Sequence, residues 1–289
     1  MNTVIRLSLA SALAAAALNP LALHAQQKDV GPPPILSIQA ESLKPGHAGA
    51  PHEKTEAAYL AAARANKAPY RYMALTSMSG PDRALFVSSY PSLAAWEDEM
   101  KAADKIPGLS AALDHAMLAD GEHVSFSEEN VWMHRPDLSY GEMTLHGVRF
   151  VELQVVTIKP GKLHEAEEWA KMYVEGYKGI PGANWAAYQQ LYGGNSNTFF
   201  FMTLLKSLSE ADAETGPSYE AFAKALGPEK MKRLRALESE VAMTEQNNLF
   251  RIDPNMSLPF DGLVADEPEF WKPKAAAMPA KKAEEKSKP

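Results

Sequence analysis

The side chains best suited to chemistry sit in short stretches of alternating, β-type sequence. Asn130, Trp132 and His134 alternate through Asn-Val-Trp-Met-His and so share one strand face. An imidazole there can act as acid or base near neutral pH, an indole can stack on an aromatic substrate, and a carboxamide can orient a carbonyl. His134 is therefore the candidate catalytic residue; the alternative is a strand-end histidine beside a packing Trp. A later stretch puts Asn247, Leu249 and Arg251 on one face in the same way. Two His-Glu pairs, His52-Glu53 and His164-Glu165, begin amphipathic segments. No second His stands four positions on, so the zinc-protease helix spacing is missing. Both pairs read as solvated helix starts whose Glu favours the dipole. No Gly-rich phosphate loop, nucleophile elbow, paired-carboxylate spacing or metal-ligand set is legible. With no cysteine, disulfides, thiolate metal sites and Cys nucleophiles are excluded.

The elements that must position these residues occur twice. Leu43-Lys44-Pro45-Gly46 matches Ile158-Lys159-Pro160-Gly161, and the preceding Ile35–Gln39 falls on Phe150–Gln154, at an offset of about 115 residues. Phe86 pairs with Phe201, Ser88 with Thr203, and Ser127-Glu128-Glu129-Asn130 with Thr244-Glu245-Gln246-Asn247 in the same order. Each half reads as strand, helix, strand, strand, helix, strand. Helices are expected over Glu53–Ala65 and His164–Tyr177, hairpins of Tyr70–Met78 with Arg83–Tyr90 and of Trp185–Tyr192 with Thr198–Leu205, and last strands over Asn130–Arg135 and Asn247–Ile252. A later helix starts at Pro228, with Met231, Leu234, Leu237 and Val241 as its buried stripe. The βαββαβ order predicts an α+β fold of two tandem ferredoxin-like units, over 33–140 and 146–258, whose antiparallel sheets face each other within one chain.

Two features resemble the dimeric α/β-barrel superfamily. They are the Lys-Pro-Gly turn before an amphipathic helix and the segment Tyr90-Pro91-Ser92-Leu93-Ala94-Ala95-Trp96-Glu97. The likeness spans about residues 35 to 257. That superfamily includes antibiotic-biosynthesis-type monooxygenases, stress-responsive barrel proteins and haem-dependent chlorite-dismutase relatives. Asp98-Glu99-Met100-Lys101 stands where the monooxygenase pattern often has a His. The resemblance implies the barrel fold and leaves activity open, because the fold hosts unrelated functions. It makes haem an open cofactor, with an inward-turned His164 as its ligand, although no residue pattern requires one.

Alternation divides each strand into two faces. Leu36, Ile38, Val151 and Leu153 are expected to pack on the helices, which sends Ser37, Gln39, Glu152 and Gln154 into the space between the sheets. Ser88, Thr203, Asn130, Trp132, His134 and Arg251 join them, lining either a small-molecule site or a hydrogen-bonded interface. Glu152 would there seek Arg251 or Arg149 as a counter-charge.

Composition bounds the partners. The 289 residues carry a formal charge of −7 with basic residues scattered through the body, which excludes the concentrated positive footprint of nucleic-acid binding. Met1–Arg6, the apolar Leu7–Leu18 run, Pro20 and the small Ala25 follow the order of a secretory signal, expected to be removed after Ala25. The run is too short to span a bilayer, leaving no transmembrane segment after cleavage. Residues 272–289, rich in Lys, Ala, Glu and Pro, are expected to be a disordered tail. The expected protein is thus periplasmic or secreted. It is either a small-ligand-binding barrel or an oxidoreductase of the cofactor-free monooxygenase or haem-dependent type.

Overall fold

A computed structural model describes residues 31–213 and 217–272, so the expected leader and nearly all of the expected tail lie outside the described residues. Each half begins with a strand that ends in a Pro-Gly turn. Gly46 and Gly161 adopt φ of 80° and 79° there, a conformation L side chains avoid. The first half runs β1 (Ile35–Leu43), α1 (Ala50–Ala65), β2 (Tyr72–Ser77), β3 (Arg83–Tyr90), α2 (Leu93–Asp104), α3 (Leu109–Asp120) and β4 (Val124–His134). The second runs β5 (Phe150–Ile158), α4 (Leu163–Gly176), β6 (Ala186–Tyr192), β7 (Thr198–Leu205), α5 (Leu208–Ala213), α6 (Pro217–Val241) and β8 (Ala242–Leu258). Two short helices, α7 (Asp261–Asp266) and α8 (Pro268–Trp271), follow. Ser92 caps α2 by accepting from the Ala95 amide at 3.1 Å. Helix α6 breaks at Gly227 (φ 73°, ψ 169°), and Pro228 starts its second segment, which buries Met231, Leu234, Leu237 and Val241.

The strands form one closed antiparallel barrel in the order β1-β3-β2-β8-β5-β7-β6-β4. Within each half the fourth, first, third and second strands lie side by side. The halves join at two seams, where Leu75 pairs with Ile252 and Met133 with Gln189. Closure removes every open edge.

Closure also reverses the expected sidedness. Leu36, Ile38, Val151 and Leu153 do not pack on the helices. They meet Leu75, Leu85, Phe200 and Phe250 from both halves inside the barrel. Ser37, Gln39, Glu152 and Gln154 therefore point outward to the helix layer. The reason is that the central parts of the strands are covered on both faces, and the interior of an eight-stranded barrel is narrow enough for large apolar side chains to fill most of it. Around β5, the helix layer is a separate apolar core of Val156, Ala166, Trp169, Leu234 and Leu237.

Candidate functional site

The nine residues expected around one inter-sheet site are dispersed. Trp132 does face the barrel interior, but as packing: it is 7% exposed and its ring meets Phe200 edge-on at 4.7 Å. Asn130 is buried and accepts from Gln190 Nε2 at 2.5 Å across the β4–β6 seam. His134 is half-buried at the strand end, 3.0 Å from Ser139 Oγ. The Ser139 hydroxyl already donates to the Arg135 carbonyl and accepts from the Ala187 amide, so His134 Nε2 is the donor to it. Burial lowers the His134 pKa, and the ring borders neither the barrel cavity nor the two cavities under the helices. Its hydrogen bond to Ser139 ties the ring to the turn that follows β4. Arg251 is exposed, and Arg149 pairs with Glu267 at 2.6 Å, so neither compensates Glu152. Glu152 instead has its pKa raised by desolvation alone. The barrel keeps an apolar cavity of about 250 Å³ beside α7, and none of the nine residues lines it.

The outward set does line cavities, one per half, between sheet and helices. Glu152, Gln154 and Thr203 border one of about 440 Å³ beside Trp169, Tyr173 and Trp185. Gln39 and Ser88 border one of about 430 Å³ in the first half, with walls that include Tyr59, Tyr70, Tyr72, Phe86, Tyr90 and Trp96. Tyr90 and Trp96 stack at 5.8 Å. The segment between β3 and α2 thus places both rings: Tyr90 ends the strand, and the Ser92 cap turns α2 so that Trp96 falls one turn in. Six carboxylates, Glu41, Glu56, Glu99, Asp104, Asp120 and Glu129, also border this space, and among the described residues no Lys or Arg does.

Its floor holds a cluster that reading along the chain missed. His52 is not solvated; it is 1% exposed, with Glu41 at 4%, Glu56 at 6% and Asp120 at 6%. His52 Nε2 lies 3.1 Å from Glu41 Oε2, 3.4 Å from Asp120 Oδ1 and 3.8 Å from Glu56 Oε1. Glu41 projects from the outer face of β1, His52 and Glu56 from successive turns of α1, and Asp120 from the last residue of α3. Gln39 Nε2 donates to Glu41 Oε1 at 2.8 Å, which leaves Oε2 facing His52, and the Thr55 hydroxyl donates to Asp120 Oδ1 at 2.7 Å. Desolvation, then the charges of Asp120 and Glu41, pushes Glu56 up to about 9. Tyr72, 6% exposed and lining the same cavity, has a hydroxyl with no hydrogen-bond partner among the described residues. Burial, followed by the Glu56 charge, raises its pKa. The legible signal was His52-x-x-x-Glu56 on one helical face, together with the alternation that groups Glu41 with Gln39.

Of the histidines that could serve haem, His164 is exposed on the helix surface, and the His52 ring nitrogen is enclosed by carboxylates.

No family model and no curated protein matches the chain. Among solved structures it is similar to an anthrone oxidase-like protein at 13% identity, covering 78% of this chain and 94% of that one, with a TM-score of 0.49. A proposed monooxygenase of Fusobacterium nucleatum is similar at 12% identity, 76% and 92% coverage and a TM-score of 0.47. A variant chlorite dismutase from Candidatus Nitrospira defluvii is similar at 9% identity, 80% and 96% coverage and a TM-score of 0.46. The resemblance is one of fold only.

Proposed function

We propose that this is an exported small-ligand-binding α/β barrel whose binding site is the first-half cavity between sheet and helices. The observation that carries the reading is the pairing of aromatic walls with six carboxylates, and with no basic side chain among the described residues, around about 430 Å³. Such a space favours a partly aromatic molecule carrying a positive charge, through stacking, cation–π attraction and ion pairing. Tyr90 and Trp96 would form the stacking wall, and Glu99, to which the Tyr90 hydroxyl donates at 2.8 Å, would offer the counter-charge.

Export rests on the leader-like Met1–Ala25. The strand order repeated in each half supports reading the chain as two ferredoxin-like units in tandem, about residues 33–140 and 146–258. Titration with benzylamine, followed by Trp fluorescence, tests the site against benzoate as the anionic counterpart. Benzylamine should bind more tightly, and Trp96→Ala should weaken it by about tenfold or more. Equal affinity for benzoate, or an unaffected Trp96→Ala protein, would remove the reading. Intact mass from a secreting host should show a chain starting near Gln26; retained Met1 in soluble protein would count against export.

A further inference from the structure

We propose that Glu41, His52, Glu56 and Asp120 bind a single divalent metal cation at the floor of the first-half cavity. The four side chains offer one imidazole nitrogen and three carboxylate oxygens, all within 4.8 Å of one another. A metal with ligand bonds of about 2.0–2.3 Å places opposite donors roughly 4–4.6 Å apart. The donors therefore already occupy the volume of one coordination sphere.

Charge points the same way. Each of the four residues is at most 6% exposed, so three carboxyl groups and one imidazole crowd a desolvated place whose oxygens no Lys or Arg among the described residues neutralises. A dication balances them. The fold itself does not require these groups. Glu41 pairs with Ala84 on β3, and the matching position of the second half, Val156 opposite Phe199, is a fully buried valine in an apolar core.

Two further features suit a metal centre. Gln39 holds Glu41 through Oε1 and leaves Oε2 toward His52, as outer partners orient metal-bound carboxylates. Independently, the Tyr72 hydroxyl, buried and unpartnered among the described residues, lines the cavity into which this floor opens, poised for a molecule or solvent on the open side of the ion. One imidazole among carboxylates selects hard to borderline ions such as Mn²⁺, Fe²⁺ or Zn²⁺ over soft ones.

This inference deepens the ligand-binding reading of the cavity, and its test uses no organic molecule, so that the two can fail separately. The full chain is stripped with EDTA and titrated with MnCl₂ or ZnCl₂ by calorimetry. One ion per chain is expected, with dissociation constants of about 10 µM or below and an unfolding midpoint raised by several degrees in excess metal. Glu41→Gln and Asp120→Asn, which keep shape and remove charge, should each weaken binding at least about tenfold. Should both variants misfold, Co²⁺-loaded wild-type protein decides: visible d–d absorption at one equivalent, lost on adding Zn²⁺, supports the site. Absence of stoichiometric binding and of that absorption, or unchanged affinity in folded variants, overturns it and leaves a buried ion-pair network. Metal binding without benzylamine binding would sink only the reading of the cavity as an organic-ligand site.

Discussion

At the scale of single residues, the same chemistry takes opposite roles according to what surrounds it. His134 and Trp132 have the types of an active site, yet one fixes a turn through Ser139 and the other fills the barrel against Phe200. His52, which looked like a helix-start residue, is enclosed by three carboxylates. Trp132→Ala should therefore cost about 3–5 kcal/mol of stability by opening a cavity in the barrel core. Chemical denaturation would measure that loss. Benzylamine affinity of the folded fraction should stay unchanged, because Trp132 does not border the first-half cavity. Lost affinity with retained stability would return Trp132 to a binding role.

At the scale of elements, the strand and hairpin limits followed from local signals. Arg83–Tyr90 and Thr198–Leu205 were legible residue for residue, because a turn bounds each and alternation runs through them. The fourth strands were expected over Asn130–Arg135 and Asn247–Ile252. They are found over Val124–His134 and Ala242–Leu258: their N-terminal ends gain partners from β1 and β5, and the end of β8 gains one from β2. The β6–β7 turn also serves the seam. Gly193 has φ of 89°, and a Cβ there would stand 2.4 Å from the Glu129 carbonyl oxygen and 2.7 Å from Asn130 Oδ1. Gly193→Ala should cost at least about 2 kcal/mol, combining left-handed strain with that clash. Hydrogen exchange should show the β4–β6 seam opening first; uniform protection with unchanged stability would contradict this.

At the scale of the whole molecule, the barrel is one core assembled from two halves. Leu36 and Leu75 from the first meet Val151 and Phe250 from the second. A fragment of residues 33–140 would expose that inner face and leave β2 and β4 as unpaired edges. Light scattering after size exclusion should find it self-associated or aggregated. A monomeric fragment with native-like circular dichroism would mean that the halves are stable alone.

What the sequence by itself determined was periodicity. It grouped Gln39 with Ser37, and Gln154 with Glu152, on shared strand faces, and it placed the Pro-Gly turns and the paired halves. Those properties are local, because successive strand side chains alternate by geometry whatever surrounds them. What only the tertiary structure decided was which face is interior. In a closed barrel covered by helices both faces are shielded from water, as the run Phe199-Phe200-Phe201 illustrates: Phe200 joins the barrel core, while Phe199 and Phe201 pack in the helix layer. Hydrophobicity then cannot label inside and outside. The floor of the first-half cavity was hidden for a related reason. Residues 41, 52, 56 and 120 converge only when β1, α1 and α3 pack together, and the cost of burying their charges becomes visible only once that packing has removed the water.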